Sequence, residues 1–210
     1  TLIQELDSFS ASPGACSIQD VNNDGAKEVV QNATDDYVFC YACGVKNINF
    51  TVQRWDGDQF VPMQLEPLTA AAPVQLNTIN DEMLRAVQGG LWKSALDLSA
   101  QQSITETDPS GVFGWNQALV RLTGTARRDY AEDGNNPYPL LGYVFYGDYP
   151  AAVDVMRAVS ATAIFTQPSA LISGTVAEGW EMALANVLTT TTSAAIQVNP
   201  QLAAAYFVRG

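Results

Sequence analysis

The sequence predicts an α+β protein in which a small antiparallel β module, residues 1–68, precedes an all-α array of helices, residues 74–210. Two observations support this division. The first part contains all three cysteines and short runs in which β-branched or aromatic residues alternate, whereas the second part is rich in Ala, Leu and Gln. The segment at residues 68–74 has no charge and contains Pro73, which is typical of a joint between two parts.

The β module is predicted from short apolar runs separated by turn residues. Residues 27–32 and 37–41 are expected to form strands, and residues 50–55 and 59–63 are expected to pair as a hairpin. The hairpin signal is strong because Asp56-Gly57-Asp58 lies between the two runs, and glycine supplies the positive φ that tight hairpin turns need.

The helical part is predicted from helix start and stop signals. Asn80 is expected to cap a helix that begins with Asp81 and Glu82, because acidic residues in the first turn suit the helix dipole, and Gly89-Gly90 is expected to end it. Further helices are predicted from Leu91 towards Ile104, over residues 112–130, 139–146, 149–159 and 175–198, and from Pro200 to the end of the chain.

Composition narrows the possible functions. The chain has 22 acidic and 10 basic residues, a net charge of -12, and such a surface repels phosphate backbones, so no nucleic-acid partner is expected. The absence of histidine excludes a Ser-His-Asp triad, a Cys-His pair and a histidine general base. No apolar run is long enough to span a membrane. The sequence therefore favours a binding module over an enzyme.

The three cysteines indicate an exported protein. One disulfide is expected, joining Cys16 either to Cys40 or to Cys43, and disulfides persist in oxidising compartments. Cys40 and Cys43 also have the spacing of half a zinc knuckle, but no second ligand pair and no histidine complete it. The predicted location is extracellular or at the cell surface.

Residues 20–28 form the most specific local motif of the sequence. Oxygen-bearing side chains stand at positions 1, 3, 5 and 9 of this loop, with Gly25 at position 6, a spacing that turns successive oxygens towards one centre and suits Ca²⁺. The predicted ligands are Asp20, Asn22, Asp24, the backbone carbonyl of Ala26, and Glu28. Gln31 stands where an EF-hand has its bidentate Glu, so the loop is not an EF-hand. The alternative is a solvated turn that binds nothing.

This motif resembles the D-x-D-x-D-G-x-x-D calcium loop of FG-GAP/VCBS repeats, in which a strand also follows the loop. The hairpin at residues 54–60 is similar to the tryptophan hairpin often found after that strand, so the resemblance covers about residues 15–65. Asn22 replaces the middle Asp of the pattern and weakens the charge of the loop. The resemblance implies a structural calcium ion, and a single loop excludes a complete propeller.

The helical part resembles tetratricopeptide (TPR) repeats, although as an irregular array. Pro200, Tyr206 and Gly210 match the junction between two such repeats, and the frame of glycine, any residue, aromatic, two residues, alanine occurs at residues 90–95 and again at residues 147–152. The resemblance implies a concave peptide-binding surface. It also implies that the chain stops inside a repeat and leaves an apolar end at residues 203–207. A non-repeating helical bundle is the alternative.

The expected partner is a protein or a peptide, which includes a second copy of this chain. Candidate contact residues are aromatic anchors and a basic pair, namely Tyr143, Tyr146, Tyr149, Arg127 and Arg128.

Three functions follow from this reading. The first is a non-catalytic, calcium-stabilised scaffold of an exported bacterial protein, such as the trimmed part of a lipoprotein. The second is a self-assembling structural subunit of a filament or surface layer. The third is a carboxylate-dependent hydrolase, for which the candidate acids are Asp35-Asp36, Glu132-Asp133, and Glu178 with Glu181.

Overall fold

The computed structural model describes residues 4–6, 15–101, 108–166 and 175–210, in which an antiparallel sheet is followed by helices. The strands are β1 (Cys16–Gln19), β2 (Glu28–Asn32), β3 (Phe50–Trp55) and β4 (Phe60–Met63). The helices are α1 (Val74–Gln88), α2 (Trp92–Ser99), α3 (Val112–Ala131), α4 (Pro139–Tyr146), α5 (Tyr149–Ala158), α6 (Ala161–Ile164), α7 (Thr175–Glu178), α8 (Trp180–Val198) and α9 (Ala203–Arg209). The α+β class predicted from the sequence is confirmed.

The sheet is a meander in which each strand pairs with the next along the chain. Val30 of β2 lies opposite Val52 of β3, and both side chains are buried. The predicted hairpin between β3 and β4 is present. Asp56 closes its turn by accepting hydrogen bonds from two backbone N–H groups, and the rings of Trp55 and Phe60 pack at 5.2 Å across it. This cross-strand aromatic pair helps to fix the register of the hairpin.

The expected strand at residues 37–41 is wrong. Residues 41–43 form a short 3-10 helix, and the preceding residues form a turn in which the Tyr37 N–H donates to the Asp35 carboxylate at 2.8 Å. The apolar side chains of this segment pack onto helices instead of onto a neighbouring strand. Phe39 lies 4.5 Å from the Trp180 ring, and Cys43 is buried in the main hydrophobic core. The segment thus connects the sheet to the helices.

The helices pack mainly on their neighbours in the chain. Each of α1 to α4 contacts the next helix, α8 contacts α9, and α9 packs back on α5, while α1 and α4 also contact α8. These contacts bury one large hydrophobic cluster, which includes Val120, Leu141, Val144, Leu184 and, from the segment before β3, Cys43 and Val45. The two parts of the chain therefore share hydrophobic core residues.

Several predicted helix boundaries need correction. Helix α1 begins at Val74, directly after Pro73, so Asn80 lies in the middle of this helix and is buried. It is not an N-cap, because its side chain makes tertiary hydrogen bonds instead. Helix α2 ends at Ser99, and Ile104 lies outside the described residues. The long helix expected over residues 175–198 is divided at Gly179 into α7 and α8.

Candidate functional site

The predicted calcium loop connects β1 to β2. Its backbone turns at two residues with positive φ, Asn23 (61°) and Gly25 (89°), which are residue types that adopt this conformation at low cost. The turn brings the predicted ligands at the start of the loop close to one another. Position 9 of the motif, Glu28, is the first residue of β2, so the sheet fixes one ligand while the turn places the others.

The oxygens of the loop face its own backbone. The two carboxylate oxygens of Asp20 accept hydrogen bonds from the N–H groups of Asp24 (3.1 Å) and Gly25 (3.0 Å). Asp24 accepts from the Ala26 N–H at 2.8 Å and from the Asn22 side-chain amide at 2.8 Å. The bonds from Asn22 and Ala26 hold the pKa of Asp24 below its usual value, so this exposed carboxylate stays ionised near neutral pH.

Glu28 is the unusual member of the set. Its side chain is 0 % exposed, and one carboxylate oxygen, Oε2, accepts the Val21 N–H at 2.9 Å, which places the carboxylate at the start of the loop. The other oxygen, Oε1, is buried and has no hydrogen-bond partner. A buried carboxylate oxygen without a partner is unfavourable unless a positive charge compensates it.

The residue types of this loop are those that suit a calcium ion. The set consists of carboxylate and amide oxygens, which are the hard ligands that Ca²⁺ prefers. A cation bound to the unpartnered Oε1 atom of Glu28 would offset the cost of burying that charged oxygen. Within the described residues, no three acidic or cysteine side chains already stand in a metal-ligating arrangement. A calcium ion at this loop would therefore also need the Asn22 side chain and the Ala26 carbonyl.

A cleft separates this loop from the N-terminal end of α3. The cavity has a volume of about 580 Å³, and Asn22 and Asp24 line it on one side while Ser110 and Trp115 line it on the other. Arg54 of β3 also lines it, with its guanidinium 5.5 Å from the centre of the Trp115 ring. The positive charge of Arg54 contributes to the low pKa of Asp24.

The disulfide prediction is corrected by the structure. Cys40 is bonded to Cys43, and Cys16 is a free, exposed thiol on the edge strand β1. Cys40 directly precedes the short 3-10 helix in which Cys43 is the last residue, and this turn brings their Cα atoms to 5.3 Å. The expected bond from Cys16 to either residue is therefore wrong, since local backbone geometry pairs the two cysteines that are closest in sequence.

Most of the candidate partner residues are structural. Tyr146, Tyr149 and Arg127 are buried, so they are not available to a partner in this structure. The Arg127 guanidinium donates to the Phe145 carbonyl at 2.7 Å, and its burial lowers its pKa to about 10. Of the remaining candidates, Tyr143 and Arg128 are half-buried, and Arg128 pairs with its neighbour Asp129.

The two glycine frames of the helical part lie against each other. Gly90 and Gly147 both have positive φ (69° and 79°) and both precede a helix. A Cβ atom on Gly147 would lie 2.6 Å from the Gly90 carbonyl oxygen and 2.7 Å from the Leu91 Cα. The alanines at the end of the frames, Ala95 and Ala152, are both fully buried. The frames therefore mark equivalent turns that meet in the core.

A buried pair of asparagines was not identified from the sequence. Asn116 of α3 donates to the Glu66 carbonyl (2.6 Å) and to the Asn80 side-chain oxygen (2.7 Å), and it accepts the Glu66 N–H at 3.0 Å. Asn80 of α1 donates to the same Glu66 carbonyl at 3.1 Å. The two helices thus hold the segment between β4 and α1 by its backbone.

No protein-family model, curated protein or solved structure matches this chain. The resemblances to FG-GAP/VCBS loops and to TPR repeats therefore stay predictions. Among the helices of the described residues, none is both long and apolar enough to cross a membrane.

Proposed function

We propose that this chain is a non-catalytic protein-binding or scaffold module of an exported or cell-surface protein, and that a calcium ion stabilises its β part. The observation that supports calcium is the buried Glu28 oxygen without a partner at the end of an oxygen-rich loop. The Cys40–Cys43 disulfide is compatible with an exported protein.

The calcium proposal is tested by calorimetric titration with CaCl₂, together with thermal melts in calcium and in chelator. We expect about one ion per chain and a melting temperature that rises with calcium concentration. Glu28→Gln and Asp24→Asn should abolish both effects. Asp56→Asn is the matched control, because Asp56 also closes a turn onto backbone N–H groups but belongs to the β3–β4 hairpin. Equal calcium binding by wild type and by Glu28→Gln would contradict the proposal.

The partner surface that we propose is helix α9. Its side chains Tyr206 and Phe207 are 48 % and 53 % exposed, which is unusual for two adjacent large aromatic residues. Beside them, Pro150, Arg157 and Phe207 line a cavity of about 380 Å³.

The same exposed aromatics support the second candidate, a self-assembling subunit. Sedimentation velocity at several concentrations separates the two candidates, because a scaffold stays monomeric and a structural subunit associates. If α9 is the contact, the double variant Tyr206→Ala/Phe207→Ala should stay monomeric. Met182→Ala is the control, since Met182 is an exposed apolar side chain on α8. Association that is unchanged in the double variant would exclude α9 as the contact.

A further inference from the structure

We propose that the Cys40–Cys43 pair is a thiol–disulfide exchange site whose substrate is a polypeptide with cysteine thiols. The two cysteines are separated by only two residues and differ in accessibility. Cys40 is half-buried, whereas Cys43 is 1 % exposed. A disulfide between a half-buried cysteine and an enclosed one has a defined point of attack and a defined leaving group.

A purely structural role explains this disulfide poorly. The chain-entropy contribution of a disulfide grows with the length of the loop that it closes, and this loop is among the shortest that a disulfide can close. The fold also holds the segment by other contacts. The Tyr130 hydroxyl donates to the Gly44 carbonyl at 2.9 Å and accepts the Lys46 N–H at 3.1 Å. The segment can therefore keep its place when the disulfide opens.

The exchange reaction follows from the difference in burial between the two cysteines. A cysteine thiolate of the substrate attacks the Sγ atom of Cys40, the Cys40–Cys43 bond breaks, and Cys43 leaves as a thiolate that takes up a proton from solvent. A second thiolate of the substrate then attacks the substrate sulfur of the mixed disulfide and releases Cys40. The substrate loses two electrons and gains a disulfide, and the Cys40–Cys43 pair gains these electrons as a dithiol.

Two exposed aromatic residues lie within three residues of Cys40 in the chain. Tyr37 and Tyr41 are 58 % and 51 % exposed, and their rings pack against each other at 5.6 Å. Tyr41 directly follows Cys40 in the chain. Exposed aromatic side chains provide large contact areas for a polypeptide, so this pair offers a binding surface at the point of attack. The structure thus indicates a polypeptide with apolar residues around its cysteine.

The first test uses single-cysteine proteins in a Cys16→Ser background, because Cys16 is a free, exposed thiol that would react by itself. Cys43→Ser leaves only Cys40, and Cys40→Ser leaves only Cys43. Each protein is mixed with a synthetic peptide whose cysteine carries a coloured thiol leaving group, and release of the colour gives the rate. We expect Cys40 to react ~10-fold or more faster than Cys43, since Cys40 is only half-buried and Cys43 is enclosed. Equal rates would overturn the proposal.

The tyrosine pair is tested in the same single-cysteine background. Tyr37→Ala/Tyr41→Ala should lower the rate of Cys40 with the peptide and leave its rate with the same leaving group on glutathione unchanged. If the double variant reacts as fast as the parent with both probes, or is slowed equally with both, these rings do not bind a polypeptide. Thermal melts confirm that each variant is folded.

The second test uses the native disulfide and does not depend on these variants. Oxidised Cys16→Ser protein is incubated with a reduced peptide that carries two cysteines, and mass spectrometry follows both products. The proposal requires oxidised peptide and reduced Cys40 and Cys43 under conditions in which the protein stays folded. A disulfide that reacts only at denaturant concentrations that unfold the chain would show that the bond is structural.

Discussion

Replacement of Asn116 by alanine is expected to be one of the most destabilising single changes in the helical part. The side chain is buried and makes three hydrogen bonds, two to the backbone of Glu66 and one to Asn80. At about 1 kcal/mol for each bond, their loss lowers the free energy of unfolding by about 3 kcal/mol. The substitution also leaves the Asn80 oxygen buried without a partner, which adds about 1 kcal/mol.

The expected total is about 4 kcal/mol, or a fall in melting temperature of ~8–16 °C for a chain of this size. Urea unfolding followed by circular dichroism measures the free energy, and calorimetry measures the melting temperature. Asn77→Ala is the matched control. Asn77 also lies on α1 and donates to the Ala72 carbonyl at 3.0 Å, but it is only half-buried, so its loss should lower the stability by about 1 kcal/mol or less.

A double-mutant cycle sharpens this test. The two single variants both lose the Asn80–Asn116 hydrogen bond, and Asn80→Ala also removes the acceptor that Asn116→Ala would otherwise leave unpaired. The double variant should therefore lose less stability than the sum of the two single variants, by about 2 kcal/mol. The reasoning is refuted if Asn116→Ala destabilises no more than Asn77→Ala, or if Asn80 and Asn116 behave additively.

Two further predictions concern a backbone contact and a buried tyrosine. Gly147→Ala should lower the free energy of unfolding, measured by urea titration, by about 2 kcal/mol or more, because φ at this residue is 79° and the new Cβ would clash with the Gly90 carbonyl. Gly134→Ala is the control and should change this free energy little, because no atom lies near the Cβ position there. Burial raises the pKa of Tyr149 to about 12, so its contribution to stability is complete below pH 10 and is lost as the pH rises from 10 to 12. Tyr149→Phe should flatten this alkaline loss by about 2–3 kcal/mol in urea titrations over this pH range. Equal pH profiles of the wild type and the variant would contradict the assignment.

The parts of the fold that the sequence predicts are those with local causes. The Asp56-Gly57 turn, the break at Gly89-Gly90 and the start of α3 at Val112 all depend on residues adjacent in the chain. The calcium loop remains a prediction, and it too depends on local residues, because its spacing is contained within nine residues. One property distinguishes this loop from an ordinary turn, namely the buried oxygen of Glu28 that has no hydrogen-bond partner. This property depends on the packing of the sheet, so the sequence alone does not reveal it.

The errors arise where distant residues decide the outcome. Asn80 carries the signal of an N-cap, yet its partner Asn116 lies in another helix, and nothing near Asn80 in the sequence indicates that contact. Tyr37 to Tyr41 has the composition of a strand, but Phe39 packs on Trp180 instead of pairing in the sheet. In both cases tertiary contacts override the local preference.

The contact between Phe39 and Trp180 has a consequence for folding during synthesis. The two rings are 4.5 Å apart although roughly 140 residues separate them in the chain. At the usual rate of translation, Trp180 is therefore synthesised on the order of 10 s after Phe39. During that interval the apolar segment before β3 lacks its helical cover, and it is open to chaperones and to misassembly. The Cys40–Cys43 bond needs no distant partner and can form early. A stalled nascent chain should therefore carry this disulfide before the helical core has formed.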